Sequence, residues 1–252
     1  MWFQSRRNKP YTELLYASYT DVGSRPGNNQ DAVTALYDDE FSVFCIADGM
    51  GGHTSGELAS SEIIRLIRQW KNVLRSKGQA EYQDVFDSFE KTIEEANSVI
   101  YEKYNQKSVC GSTVVALIIC GHRYCIVSVG DSRCYLASGS KIRQLTRDDV
   151  WNANPKDGVN SRDNGKLLKA VGVDEDLICN RITGEICKGD SFFLCSDGIY
   201  KVLGDKYINA IPKMIRKANT SNDLETILRA MREDVDKKGA PDNNTGIFVK
   251  CV

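Results

Sequence analysis

Five aspartates stand at the ends of apolar runs. In three places such a run delivers the acid into a Gly/Ser turn: CIA-Asp48-GMGG, VSVG-Asp131-SR and FFLCS-Asp197-G. In two more the order is mirrored, with Asp31 just ahead of AVTALY and Asp242 just ahead of NNTGIFVKCV. A lone Asp-Gly is ordinary turn chemistry, because both residues dominate turns for conformational reasons. Five of them could be five turns, or they could be strand ends that converge so that the carboxylates share a task. Clustered carboxylates repel one another, and ionising them together requires a compensating cation or a raised pKa. Oxygen ligands without histidines or paired thiols select hard cations, namely Mg²⁺, Mn²⁺ or Ca²⁺. The acids span residues 31 to 242, so the tertiary fold must assemble any site, and no EF-hand spacing is present.

The rest of the composition narrows the chemistry. Only two histidines occur, His53 and His122, which leaves little for His-rich zinc sites or Ser-His-Asp schemes. The nine cysteines form no C-x-x-C and fall mostly in apolar runs (Cys45, Cys120, Cys125, Cys195), as expected of buried free thiols in a reducing compartment. Lys+Arg (33) and Asp+Glu (34) nearly cancel to a net charge of -1, which argues against nucleic acid as a partner. In DGMGGHTSGE (48–57) the glycines Gly49, Gly51 and Gly52 would let the backbone approach an ion or phosphate, and Ser55 would cap the following helix. The segment is not a dinucleotide fingerprint, since Thr54 falls on the third glycine of G-x-G-x-x-G, and no P-loop is found.

The elements that must position these acids read as follows. Strands are expected at 14–20, 31–37, 41–48, 113–120, 124–130, 133–138, near 178–186, at 190–195 and in the closing GIFVKCV. Apolar stripes through Leu58, Ile63, Ile67, Trp70 and Leu74, through Val85 to Tyr104, and through Leu224 to Val235 predict three amphipathic helices. Strand runs interrupted by a helix pair favour antiparallel sheets covered by helices over a doubly wound parallel sheet. With 41% apolar and 27% charged residues and no linker, a single domain over 1–252 is expected. The polar stretch of about 147–166 is a loop long enough to suggest a function. The apolar runs FSVFCIA and TVVALIIC are too short to span a bilayer, and MWFQSRRNKP lacks a signal region, so a cytoplasmic protein with no membrane partner is expected.

Taken together and in order, TDVGSRPGNNQDA (20–32), ADGMGGHTSGELAS (47–60), CGSTVVAL (110–117), VGDSRCYL (129–136), LTRDD (145–149), LLKAVG (167–172), LCSDGIY (194–200) and DNNTGIFV (242–249) resemble the metal-dependent Ser/Thr protein phosphatases of type 2C, in a bacterial-like form. The resemblance implies an α+β fold, a central sandwich of two antiparallel β-sheets flanked by helices on both sides. It implies a Mg²⁺- or Mn²⁺-dependent enzyme that hydrolyses phosphoserine and phosphothreonine in proteins, with an activated water and no covalent intermediate. Carried over residue by residue, Asp48 resembles the carboxylate bridging two metal ions, and the Gly49 carbonyl a ligand of one of them. Asp197 and Asp242 resemble ligands of the first metal, and Asp31 the acid that orients water at the second. Asp131, with Asp197, resembles the holder of a weaker third metal. Arg25 is the candidate for gripping the substrate phosphate through its planar fork.

The sequence departs from the family pattern at three points: Arg25 precedes Pro26, where many relatives carry the arginine; Gln30 precedes Asp31; and Met50 stands where animal members place a histidine. His53, three residues on, is read either as a helix-start or supporting residue or as the general acid, with water as the alternative acid. The stretch 147–166 matches the family's flap, with Trp151, Asn152, Asn154, Arg162 and Asn164 available to a phosphopeptide. Partners implied are phosphorylated proteins, including a Ser/Thr kinase and its substrates, met by a monomer. The rival expectation is a non-catalytic regulatory domain that binds divalent metal without turnover.

Overall fold

A computed structural model describes residues 13–25, 27–38, 40–51, 55–76, 78, 80–104, 109–151 and 166–252. Among these residues, eleven strands form two sheets. The first contains β1 (Leu14–Asp21), β7 (Arg133–Ser138), β8 (Lys141–Gln144), β10 (Ser191–Cys195) and β11 (Asn244–Cys251), in the order β1-β11-β10-β7-β8. The second contains β2 (Asp31–Leu36), β3 (Ser42–Gly51), β5 (Val114–Cys120), β6 (Arg123–Val129) and β9 (Asn180–Glu185), in the order β2-β3-β5-β6-β9. A short β4 (Cys110–Ser112) pairs with the far end of β3. Every pairing is antiparallel.

Strand alternation divides the apolar side chains between layers. From β3, Phe44 and Ile46 face inward and meet Phe192, Leu194, Ile247 and Val249 of the other sheet. The intervening Val43, Cys45 and Ala47 face outward beneath α1 (Ser55–Ser76) and α2 (Tyr82–Tyr104). On the opposite side, Phe193 and Phe248 pack under α3 (Asp197–Leu203), α4 (Asp205–Ile208), α5 (Ile211–Ile215) and α6 (Ser221–Lys237). The result is a helix–sheet–sheet–helix stack. Central strands are buried on both faces, which explains why they read as unbroken apolar runs instead of alternating ones. All eight residues of β11 are buried.

Differences from the sequence reading lie in the short elements. Strands β4 and β8 and helices α3 to α5 had no distinct signal. Ser55, expected as the cap, is already helical as the first described residue of α1. Seven of the nine free cysteines are buried, with Cys120 half-buried and Cys187 exposed. Among the described residues, no helix is long and apolar enough to cross a membrane.

Candidate active site

The five strand-end aspartates gather at one end of the sandwich. Asp31 and Asp48 are cross-strand partners in β2 and β3. Asp197 opens α3 directly after β10, Asp242 lies two residues before β11, and Asp131 lies in the turn from β6 to β7. Burial, then repulsion from Asp31, Asp197, Asp131 and Asp242, pushes the Asp48 carboxyl well above its ordinary range. The central acid therefore feels the other four, as the convergent reading expects.

Asp31 is 7% exposed. Its Oδ2 accepts hydrogen bonds from Thr245 Oγ1 at 2.6 Å and Ser196 Oγ at 2.8 Å. Because the Thr245 hydroxyl spends its hydrogen on Asp31, the 2.8 Å contact between Thr20 and Thr245 must run from Thr20 to Thr245. Thr20 in turn accepts from Asn29 Nδ2 at 2.8 Å. These donors are polarised toward one carboxylate oxygen. The other, Oδ1, is buried and receives no N–H or hydroxyl donor among the described residues, and the Asp48 carboxyl lies within hydrogen-bonding reach of Asp31. Burial dominates and pushes the Asp31 carboxyl up to about 6, even though both hydroxyls favour its charged form.

Asp48 is held through its backbone. Its N–H donates to Thr113 Oγ1 at 3.1 Å, and its carbonyl accepts from Thr113 N at 2.8 Å. Thr113 Oγ1 also contacts Ser132 Oγ at 2.7 Å, which links the position to the Asp131 turn. Gly49 and Gly51 serve packing here: a Cβ on Gly49 would lie 2.1 Å from the Gly56 carbonyl of α1, and Gly51 has φ +143°. Close approach of the helix is enough to exclude a side chain at Gly49.

Two cations stand among the acids. Arg25 Nη1 contacts Asp242 Oδ1 at 2.7 Å, which places this guanidinium at the mouth of the cleft with Asp48 and Asp197 in its field. Lys201 Nζ bridges Asp197 Oδ2 at 2.7 Å and Asp131 Oδ2 at 3.0 Å. With these cations in place, no three metal-binding side chains converge on one point among the described residues. The donor chemistry nonetheless fits hard cations around Asp48: the set is all oxygen, strongly self-repelling, and includes the buried Asp31 Oδ1.

His53 lies outside the described residues, as do Asn152, Asn154, Arg162 and Asn164 of the expected flap. The neck of that loop is described. Val150 pairs with Leu167, and Asp149 Oδ2 accepts from Gly130 N at 3.1 Å and Asn180 Nδ2 at 2.9 Å, beside Asp131. Residues the sequence reading missed are Lys201, Ser196, Thr245 and Thr20. Ser196 and Thr245 stood inside the quoted segments LCSDGIY and DNNTGIFV, yet only contact across the sheets reveals their common target.

Two helix-covered antiparallel sheets with an acidic, oxygen-lined cleft at one end define a fold whose site suits hard cations. The protein phosphatase 2C family model matches residues 24–236. The serine/threonine phosphatase stp of Listeria innocua is 29% identical over 218 residues, covering 81% of this chain and 85% of that protein. Among solved structures, PppA, a regulatory component of T6SS in Pseudomonas aeruginosa, superposes with a TM-score of 0.78 at 27% identity, covering 95% of this chain and 98% of that one. The catalytic domain of the serine/threonine protein phosphatase PstP, in complex with two manganese ions, gives 0.75 at 24% identity, covering 95% and 98%. This chain belongs to the protein phosphatase 2C family.

Proposed function

We propose that the cleft hydrolyses phosphoserine and phosphothreonine esters of proteins, with two Mg²⁺ or Mn²⁺ ions held by Asp48, the Gly49 carbonyl, Asp197 and Asp242. The observation that carries this reading is Asp48 in the field of four other carboxylates. Such an array is stable in its charged form only with cations to offset it. When bound, a pair of divalent ions lowers the pKa of water and neutralises phosphoryl charge.

The chain's own residues supply the remainder. Asp31 is fixed through Oδ2 by Ser196 and Thr245, which leaves Oδ1 to orient the attacking water and accept its proton. Arg25 releases Asp242 when that acid turns to a cation, and its fork then makes paired hydrogen bonds to phosphate oxygens. The departing alkoxide is protonated by solvent water or by His53. None of the cysteines is needed as a nucleophile, and nine thiols outside any disulfide suit a cytoplasmic location among phosphoproteins, a Ser/Thr kinase and its substrates included.

The test is phosphate release from a phosphothreonine peptide. Activity with Mn²⁺ should vanish on adding EDTA and fall by about a hundredfold or more in Asp48→Asn and Asp197→Ala, equivalent to several kcal/mol of charge stabilisation. Full activity in either variant would overturn the reading. Mn²⁺ binding without turnover would instead favour the non-catalytic domain, although all five acids are in place.

A further inference from the structure

Lys201 is the cation that the two-ion reading does not need. It lies one helical turn after Asp197 on α3, so helix geometry places its ammonium over that carboxylate. The same Nζ reaches Asp131 Oδ2 at 3.0 Å. Asp131 is 6% exposed, and its Oδ2 has one other donor, the Tyr200 hydroxyl at 3.3 Å. Arg133 is not free to help. Its guanidinium is engaged by Asp148 and by Tyr135 Oη, and it stacks 3.6 Å above the Tyr200 ring.

The anchor of Lys201 is firm. Ile199 and Tyr200 are buried, and Gly198 packs so closely that a Cβ there would lie 2.0 Å from the Asn243 carbonyl. The ammonium thus occupies the space between Asp131 and Asp197 where the family resemblance places a weaker third metal. An ion entering that space needs the same two Oδ2 atoms. It would meet the ammonium about a hydrogen-bond length from each and would have to displace it. The Lys201 side chain is 52% exposed, yet charges of like sign that close repel strongly.

We propose that Lys201 is a built-in substitute for a third divalent cation, so that this chain works with two metal ions and a lysine. The proposal rests on the two-ion reading of the cleft around Asp48. An ammonium brings one charge and three donors, enough to neutralise the Asp131–Asp197 pair in part and hold α3 in place. It brings no coordinated water, so this position contributes charge and not a water-derived nucleophile or acid.

The test counts bound Mn²⁺ on the full, metal-stripped chain from the free-ion electron paramagnetic resonance signal. Wild type should saturate at two ions per chain and take no third at millimolar Mn²⁺. Lys201→Ala and Lys201→Gln should each rise to three, and adding Asp131→Asn to either should return the count to two. Lys201→Gln removes the charge while keeping a polar side chain one atom shorter than lysine, and circular dichroism confirms that each variant is folded. A third ion in wild type that Asp131→Asn removes, or a count of two in both Lys201 variants, would overturn the proposal. A wild-type count below two refutes the two-ion reading itself, and Asp48→Asn serves as its separate control.

Discussion

Replacing Asp31 by Asn should stabilise the metal-free fold while it disables the site. Burial raises the Asp31 carboxyl to about 6 from an ordinary 3.8, so between those values the folded state holds a proton that the unfolded chain has released. With more protons bound folded than unfolded, stability falls as pH rises. The contribution is complete below about pH 4 and lost once pH passes about 6. A difference of about two in pKa corresponds to about 3 kcal/mol at pH 7.5. Asp31→Asn removes this charge. Its amide oxygen can still accept from Ser196 and Thr245, and its NH₂ would face Asp48, which the repulsion from four acids leaves short of donors.

In EDTA at pH 7.5 the variant should therefore unfold at higher urea, with a gain approaching 3 kcal/mol, or roughly 2–4 °C in Tm for each kcal/mol. At pH 4 the gain should disappear. Adding Mn²⁺ should reverse the order at pH 7.5, because wild type regains stability from binding and the variant regains less. An equal or lower midpoint for metal-free Asp31→Asn at pH 7.5 would refute the argument that this acid is held charged at a cost.

Lys71 is almost fully buried, pairs with Asp38 at 2.8 Å and donates to the carbonyls of Leu36 and Phe41 in the turn between β2 and β3. Lys71→Met should cost about 3 kcal/mol in urea unfolding, because it leaves a carboxylate and two carbonyls without their donor. Gly198→Ala puts a methyl 2.0 Å from the Asn243 carbonyl, so either α3 or the entry to β11 must move. Stability should fall by about 1–3 kcal/mol. The same shift separates Asp197 from Asp242, so calorimetry should show Mn²⁺ affinity falling by more than the stability loss explains.

The long strands and helices were legible because each extends over enough residues to show its period. The missed elements fail that condition. The edge strand β8 reads KIRQ, with no buried position, and α4 and α5 span little more than one turn. The acids were legible for a related reason: a strand that runs apolar until it meets Asp-Gly or Asp-Ser announces its own end. Their partners were not. Ser196 and Thr245 are 49 residues apart and converge on Asp31 only because β10 and β11 pair while β2 lies in the facing sheet. Lys201 sits at helical spacing from Asp197, but a helix of seven residues is too short to show its period in the sequence.

The site straddles the seam between the two sheets. Asp31 and Asp48 ride on one sheet, Asp197 and Asp242 on the other, and the hydroxyls of Ser196 and Thr245 cross the gap. A pair of ions bound there would clasp the open end of the sandwich, as a buckle closes a strap. Any slide of one sheet over the other would then be felt as a change in the grip on metal. Substitutions in the layer between the sheets, at Ile46 or Leu194, should therefore change cation affinity in a Mn²⁺ titration, although neither side chain carries a polar atom.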